Sequence, residues 1–141
     1  GFNAEEEGTL GSIYYVNNLL FQMKKTEQIN LDMVGSEADE EALEVNTLRK
    51  DTTLKNKVYN LLDIGYKMNV EKVTGPSSDN IYFEEKGISL TRHDPKYYHS
   101  PADTMDRVDV KRMKKTIRSV LTYILNEAYT NSTMEVNKLA S

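Results

Sequence analysis

The chain has 141 residues, of which 38% are hydrophobic and 28% charged, a balance typical of one globular domain with its own core. Its formal net charge of −4 argues against nucleic acid, which selects basic surfaces. The absence of cysteine excludes disulfides and thiolate metal sites, and no apolar run approaches the about 20 residues of a membrane span.

The chain starts with an acidic run, Glu5, Glu6 and Glu7, directly before Gly8. Taken alone, such a run is typical of a solvated turn. The next stretch, SIYYVNNLLFQMKK, has apolar residues at helical spacing, which predicts an amphipathic helix with Ser12 as its N-cap.

The segment QINLDMVG predicts a buried strand that ends at Gly35. Asp32 interrupts it, and a carboxylate there is unfavourable unless something pairs with it. The acidic stretch SEADEEALEV predicts a surface loop.

A second helix is predicted in DTTLKNKVYNLLDIGYKM, capped by Asp51 or Thr52 and ending near Gly65. A short strand in NVEKV and a loop in TGPSSDN follow. A short helix then begins at Asp79 and ends at Gly87.

The strand ISLT precedes a long polar loop, RHDPKYYHSPADTMDR, which contains both histidines. Loops of this length are usually functional or mobile. A last helix, capped by Asp109, has an apolar face of Val110, Met113, Ile117, Val120, Leu121, Ile124 and Leu125. Periodicity ends after Tyr129, so we expect a domain over residues 1–130 and a flexible tail over 131–141.

Strands that alternate with helices predict an α/β fold, a three-layer sandwich with a largely parallel central sheet flanked by helices. In such sheets ligands bind at the carboxyl ends of the strands. The acidic run, Asp32 and the histidine loop each lie at such an end. Imidazole nitrogens and carboxylate oxygens are ordinary ligands for zinc.

Three stretches, AEEEGTLGS, NLDMVGS and YYHSPADTMDRVD, occur in the order and at the spacing of three motifs of one enzyme family. The chain resembles the co-catalytic di-zinc aminopeptidases, which include secreted bacterial leucine-type aminopeptidases and are related to glutamate carboxypeptidase and the transferrin receptor ectodomain. The resemblance extends from Phe2 to about Ala128.

The resemblance implies a role for five residues. Glu5 matches the general base that activates a metal-bridging water, and Tyr98 matches the residue whose hydroxyl stabilises the oxyanion. Glu6 and His99 match ligands of one zinc, and Asp32 matches a ligand of the other.

Simpler interpretations stay open for several side chains. Glu7 fits a solvated position, His93 a surface loop, and Asp32 a turn carboxylate. Tyr97 fits a packing role, although it is also the alternative oxyanion donor beside Tyr98.

Two further positions are weaker matches. SSDNIYF resembles a family segment S-D-H-x-x-F, but Asn80 stands where the family has histidine, and N-capping is a sufficient role for Asp79. Asp103 would orient His99 or its loop.

The family's remaining ligands, a histidine and a bridging aspartate, lie upstream of the double glutamate, and the chain starts too late to contain them. The resemblance therefore implies the C-terminal half of a catalytic domain, truncated at the N-terminal side of its sheet. We expect weak zinc binding and negligible peptidase activity from this chain, and a zinc-dependent exopeptidase acting on N-terminal peptide bonds in the intact parent.

Several alternatives remain at this stage. A non-catalytic binding domain is the main one, and carboxypeptidase and cyclase activities also occur on this fold. An exposed sheet edge would favour a homodimer or swapped oligomer. Secretion or attachment to the cell surface is suggested only by the resemblance to the family.

Overall fold

A computed structural model describes residues 1–37, 43–47, 56, 58–59, 66–70, 78–92 and 96–139. Its helices are α1 (Leu10–Asn17) and α2 (Val110–Leu139). Its strands are β1 (Gln28–Asp32), β2 (Leu43–Thr47), β3 (Tyr66–Val70) and β4 (Gly87–Thr91). Short 3₁₀ helices cover Met23–Lys25, Asp79–Lys86 and Met105–Arg107.

The four strands form one sheet in the order β1-β4-β2-β3. The pairs β1/β4 and β2/β3 are parallel, whereas β2 and β4 run antiparallel. Asp32 is in register with Thr91, so the carboxyl ends of β1 and β4 lie side by side. The predicted α/β class is confirmed, with a sheet that is mixed rather than uniformly parallel.

The two faces of the sheet have different side chains, apolar on one face and polar on the other. On one face, Ile88 and Leu90 are fully buried and pack with Val120 and Tyr123 of α2. On the other, Ser89 accepts a hydrogen bond from Asn30 Nδ2 at 3.3 Å, under the 3₁₀ helix Asp79–Lys86. Helices therefore cover both faces, as a three-layer sandwich requires.

An aromatic cluster holds α1 against this second face. The ring of Phe83 lies 6.1 Å from that of Phe2 and 6.0 Å from that of Tyr15, centroid to centroid. Phe83 is 2% exposed. This cluster fixes the start of the chain, and with it the acidic run, relative to the sheet.

The first helix is shorter than the sequence predicts, and the prediction that Ser12 is its N-cap is wrong. Ser12 lies inside α1, where its hydroxyl donates to the Thr9 carbonyl at 2.9 Å. The helix ends at Asn17 because Asn18 bonds back to it, through Nδ2 to Tyr14 O at 2.8 Å and through N–H to Tyr15 O at 3.1 Å. Leu20, which the periodicity placed on the apolar face, is 83% exposed.

The acidic stretch SEADEEALEV is predicted to be a loop, but its last residues belong to strand β2. The prediction is wrong for this part of the stretch. Leu43 and Val45 are fully buried in β2, with the half-buried Glu44 between them. The predicted second helix lies mostly outside the described residues, although Asn56, Val58 and Tyr59 are helical. Strand β3 begins at Tyr66, three residues before the predicted strand.

The N-cap predicted for α2 is confirmed. Asp109 Oδ1 accepts the backbone N–H of Lys111 at 2.8 Å and of Arg112 at 3.1 Å. These bonds lower the pKa of the Asp109 carboxyl group. Helix α2 continues to Leu139, so residues 131–139 are helical and the predicted end at Tyr129 is wrong.

The apolar residues of α2 do not all face the core as predicted. Thr116, Val120 and Tyr123 are buried, but Ile117, Leu121, Ile124 and Leu125 are 45–60% exposed. The apolar face is thus wider than the surface that the described sheet covers. No helix in the described ranges is long and apolar enough to cross a membrane.

The loop after β1 is hydrogen-bonded to the residues that precede α2. Asp109 N–H donates to Gly35 O at 2.7 Å, and Ser36 forms a bridge with Val108. A side chain at Gly35 would lie 3.0 Å from Val108 Cγ1, so the close approach favours glycine. This attachment fixes the loop that follows Asp32 relative to the start of α2.

Candidate active site

The three glutamates lie in a tight turn between the start of the chain and α1. The carbonyl of Glu5 accepts the N–H of Gly8 at 3.1 Å and of Thr9 at 2.8 Å. Gly8 has φ 88°, a conformation that glycine adopts at little cost. Because the backbone turns here instead of continuing as a helix, the neighbouring carboxylates diverge, and Glu5 is half-buried while Glu6 and Glu7 are exposed.

Glu6 meets the histidine loop. Its Oε1 lies 3.1 Å from Nε2 of His99, across 93 residues of sequence. Both side chains keep more than half of their surface exposed. The pair is therefore open to solvent and to a ligand.

Asp32 is held at the carboxyl end of β1 by a polar network on the second face of the sheet. Its Oδ2 accepts a hydrogen bond from Ser78 Oγ at 3.1 Å. Ser78 Oγ in turn accepts a bond from Asn30 Nδ2 at 2.6 Å. The hydrogen bond from Ser78 orients the Asp32 carboxylate through Oδ2 and does not involve Oδ1.

These charged groups lie close enough to act on one another. Burial raises the pKa of the Glu5 carboxyl group, and the negative charges of Asp32, Glu6 and Asp79 raise it further, against the opposing effect of His99. Four carboxylates and one imidazole thus interact at the edge where β1 and β4 end. The three sequence segments that carry the resemblance meet there.

Tyr97 and Tyr98 have different surroundings. The ring of Tyr98 stacks on the His99 imidazole at 3.8 Å between centroids. Burial, followed by the charges of Glu6, Asp32 and Glu5, raises the pKa of its phenol. The phenol therefore stays protonated at neutral pH and can donate a hydrogen bond toward the carboxylates.

Tyr97 packs among cations instead. The Arg107 guanidinium lies 3.6 Å from its ring centroid and the Lys96 ammonium 4.9 Å from it. A hydrogen bond from Lys96 is the main cause that lowers the pKa of the Tyr97 phenol. The packing role considered for Tyr97 is what the structure shows, and Tyr98 is the tyrosine beside the carboxylates.

Backbone strain is concentrated at the same place. In the described ranges, four non-glycine residues have positive φ: Ala4 (57°), Thr9 (57°), Met33 (55°) and His99 (53°). Ala4 and Met33 are direct neighbours of Glu5 and Asp32. Such conformations are rare for side chains other than glycine and cluster at functional sites.

A cavity of about 290 Å³ lies beside Tyr98, between the loop after β1 and the histidine loop. Its walls are mainly apolar and aromatic and include one acidic and one basic side chain. They comprise Met33, Val34, Gly35, Ser36, Tyr97, Tyr98, Asp103, Arg107, Val108 and Met113. The volume is near the lower end of that of small-molecule sites.

The weaker sequence predictions fare differently. Asp103 closes a turn through its N–H to Ser100 O at 3.0 Å, and the structure records no contact between its side chain and His99. Asp79 is 6% exposed, and its Oδ1 has no hydrogen-bond partner in the part of the chain that the structure describes. Asp79 lies in the first turn of its 3₁₀ helix, and the capping role that the sequence suggests stays a prediction. His93 lies outside the described residues.

Sequence reasoning missed Ser78 and Asn30. Both act on Asp32 through the network described above, and Ser78 is separated from it by 46 residues of sequence. The only available signal was the match of SSDNIYF to the family segment.

The donor set fits zinc in part. Nitrogen and oxygen ligands on one tetrahedral zinc lie about 3.3 Å apart, given bonds of about 2.0–2.1 Å. The 3.1 Å between His99 Nε2 and Glu6 Oε1 matches that spacing. No group of three or more acidic or histidine side chains is placed to hold an ion among the residues that the structure describes. Glu6 and His99 are therefore two candidate ligands, whereas a catalytic zinc ordinarily has three protein ligands.

Carboxylates, an imidazole and a phenol thus lie together at the strand ends of an α/β sandwich. Comparison with known proteins identifies the family. Residues 1–124 match the sequence model for peptidase family M28, and the chain belongs to this family. The resemblance inferred from the three motifs is confirmed.

Two proteins that are similar to this chain are aminopeptidases. Aminopeptidase YwaD of Bacillus subtilis (strain 168) is 31% identical over an alignment that covers 81% of this chain and 28% of the relative. The solved structure of an aminopeptidase from Aneurinibacillus sp. strain AM-1 superposes with a TM-score of 0.71 at 25% identity. It is matched by 90% of this chain, which covers 32% of it. The chain thus spans about a third or less of the length of either relative.

Proposed function

We propose that this chain is part of a zinc-dependent exopeptidase, an aminopeptidase that hydrolyses N-terminal peptide bonds in the intact parent protein. The single observation that carries the proposal is the contact between Glu6 and His99, two solvent-open groups at the spacing of ligands on one ion. Membership of family M28 and two aminopeptidase relatives support the choice of reaction.

In this proposal Glu6 and His99 hold one zinc and Asp32 contributes to a second. Zinc bound here would acidify a water molecule and polarise the peptide carbonyl. The bond from Ser78 orients Asp32 for that role, and such outer partners are commonly required for tight metal binding.

Glu5 acts as the general base. Its raised pKa brings the carboxylate nearer to the pKa that proton transfer at neutral pH requires. Glu5 accepts a proton from the attacking water and returns it to the amine that leaves. Tyr98 keeps its phenolic proton and donates a hydrogen bond to the oxygen of the substrate carbonyl as negative charge develops there.

The excess of negative charge suits a substrate with a free α-ammonium group. Four carboxylates face a single imidazole at this edge of the sheet. The apolar cavity beside Tyr98 offers space for a substrate side chain. A peptide with an unblocked N-terminus is therefore the substrate class that we propose.

We propose that the 141 residues alone bind zinc weakly and have negligible peptidase activity. Glu6, His99 and Asp32 provide fewer ligands than two ions need, and a catalytic zinc ordinarily has three protein ligands. The family's upstream histidine and bridging aspartate would supply the rest.

The zinc site can be tested on the purified chain by calorimetric titration. We expect native protein and a His93→Ala control to bind zinc and the His99→Ala variant to lose it. Equal binding by all three forms would contradict the assignment of His99.

The reaction can be tested in a chimera in which this chain replaces the aligned region of the Bacillus subtilis aminopeptidase. We expect hydrolysis of leucine p-nitroanilide that falls at least a hundredfold in Glu5→Gln but not in Glu7→Gln. A chimera that folds and binds zinc yet remains inactive would favour a non-catalytic binding domain.

A further inference from the structure

Arg107 bridges the two sides of the loop that carries Tyr98 and His99. Its guanidinium lies 3.6 Å from the ring centroid of Tyr97, which directly precedes this pair. Its Nε donates a hydrogen bond at 2.8 Å to the carbonyl of Ala102, which follows the pair. One planar side chain therefore closes the loop on both sides of the two candidate site residues.

Arg107 itself lies next to an attachment between two loops. It is the last residue of the 3₁₀ helix Met105–Arg107, and the next residue, Val108, forms a bridge with Ser36 in the loop after β1. Arg107 thus connects the histidine loop to the segment that follows Asp32.

The loop needs such support because His99 is in an unfavourable conformation. His99 has φ 53°, and its side chain is 55% exposed, so packing of this side chain does not hold it in place. A positive φ at a residue other than glycine persists only where the surrounding structure enforces it. The Ser100 hydroxyl and N–H both donate to the Tyr97 carbonyl, at 2.6 Å and 3.1 Å, but these bonds are local to the turn. The contacts of Arg107 come from outside the turn.

Two contacts connect this loop with the candidate site. The ring of Tyr98 stacks on the His99 imidazole at 3.8 Å between centroids, and His99 Nε2 lies 3.1 Å from Glu6 Oε1. Both depend on the backbone of residues 98–99, which lies between the two residues that Arg107 contacts.

We propose that Arg107 is a positioning residue, which holds Tyr98 and His99 in the arrangement that the site uses without touching substrate or metal. The purpose of this positioning rests on the proposed function, in which Tyr98 is the oxyanion donor and His99 a zinc ligand. The positioning itself is a property of the metal-free chain and can be tested without zinc.

The first test is the NMR signal of the His99 ring protons in the whole, metal-free chain. Stacking on Tyr98 shifts these protons upfield by ring current, and His93→Ala assigns them because the chain has only two histidines. Spectra at about pH 9 compare neutral imidazoles. Arg107→Gln removes the guanidinium that makes both contacts, and Arg107→Lys keeps the charge without the planar group. Arg118→Gln is the matched control, because Arg118 is exposed on α2, outside this loop.

We expect the upfield shift of the His99 ring protons to be largely lost in both Arg107 variants and to stay native in Arg118→Gln. Urea unfolding shows which variants are folded, and Arg107→Lys is the test if Arg107→Gln does not fold. A native shift in a folded Arg107→Gln would overturn the inference, as would a native chain without any upfield shift. A native shift in Arg107→Lys would show that positive charge suffices and would contradict a role that depends on the planar side chain.

Calorimetric titration with zinc separates this inference from the proposed function. We expect the dissociation constant to rise about tenfold in Arg107→Gln and to stay unchanged in Arg118→Gln. If His99→Ala loses zinc while Arg107→Gln keeps native affinity and a native ring shift, only the role of Arg107 is wrong. If the native chain binds no zinc but the ring shift is lost in the Arg107 variants, the positioning is supported and the proposed zinc site is wrong.

Discussion

His99 Nε2 and Glu6 Oε1 lie 3.1 Å apart, although 93 residues separate them in the sequence. Neither side chain is buried, so the contact contributes little to stability as an ion pair. Both residues belong to strained or turning backbone, since His99 has φ 53° and Glu6 lies within the turn that Glu5 begins. A fold keeps an exposed pair in such a conformation more readily for ligand binding than for stability.

The first prediction concerns Glu6 against its neighbour. Glu6→Gln should weaken zinc binding at least tenfold, because an amide oxygen is a poorer ligand than a carboxylate and the proposed site has only Glu6 and His99 as ligands of this ion. Glu7→Gln makes the same chemical change at an exposed position one residue away and should leave the affinity unchanged. Calorimetric titration measures both, and equal losses would indicate general electrostatic attraction by the acidic run.

The second prediction concerns Ser78. Ser78→Ala removes the bond to Asp32 and leaves Asn30 Nδ2 with only its longer bond to Ser89 Oγ. We expect a loss of about 1–2 kcal/mol in the free energy of unfolding, measured in urea, because a buried hydrogen bond contributes about 1 kcal/mol. Zinc affinity should also fall.

Ser119→Ala is the control for this change, since its hydroxyl bonds only to Lys115 O on the exposed side of α2. It should change stability by less than about 0.5 kcal/mol. Native stability in Ser78→Ala would show that the network does not hold Asp32.

The sequence predicted the parts of the site that depend on local pattern. Asp32 was noticeable because it interrupts an apolar run, and the histidine loop because of its length and polarity. The order of three short motifs then identified the family. The first two signals each lie in one continuous stretch, and the third depends only on the order of such stretches along the chain.

The sequence did not predict what depends on tertiary contacts. Leu43 and Val45 are core residues because β2 lies in the middle of the sheet, but the acidic residues before them obscured the two-residue period. The bond from Ser78 to Asp32 joins residues that only the fold brings together. The early end of α1 at Asn17 reflects bonds made by Asn18, which override the helical spacing that continues to Met23.

The third prediction concerns the titration of the two neighbouring tyrosines. The pKa of the Tyr97 phenol is lowered, chiefly by a hydrogen bond from Lys96, whereas burial and nearby carboxylates raise that of Tyr98. As pH rises through 10, Tyr97 should therefore ionise before Tyr98. NMR of tyrosine-labelled protein resolves the order, with Tyr97→Phe and Tyr98→Phe to assign the signals.

In that titration, the early-ionising signal should be missing from Tyr97→Phe and present in Tyr98→Phe. The reverse pattern would show that Tyr97 and not Tyr98 lies beside the carboxylates. The oxyanion donor would then have to be reassigned.

The fourth prediction concerns strain next to Glu5. Ala4 has φ 57°, where an L-residue is disfavoured by about 1–2 kcal/mol, and glycine avoids this cost. Ala4→Gly should therefore stabilise the chain by up to about 1 kcal/mol, after the greater freedom of glycine in the unfolded chain is subtracted. Ala102, whose φ is not positive, is the control, and Ala102→Gly should be neutral or destabilising. Equal destabilisation by both changes would show that Ala4 stores no strain.

The last prediction concerns the edge of the sheet. In the described part of the chain, β1 is paired on one side only, with β4, and Leu31 is 40% exposed on it. A strand edge with apolar side chains favours pairing with another chain, and we expect a homodimer or a swapped oligomer. Light scattering of the native chain should give a mass above that of a monomer.

Leu31→Lys should shift the distribution toward monomer, because a charged side chain on an edge strand opposes pairing. Leu20→Lys adds the same charge at a position that is 83% exposed and outside the sheet, so it should leave the mass unchanged. A native chain that is monomeric at all concentrations would contradict the role of this edge. A dimer that resists Leu31→Lys would point instead to the exposed residues of α2, of which Leu121 and Leu125 are 51% and 60% exposed.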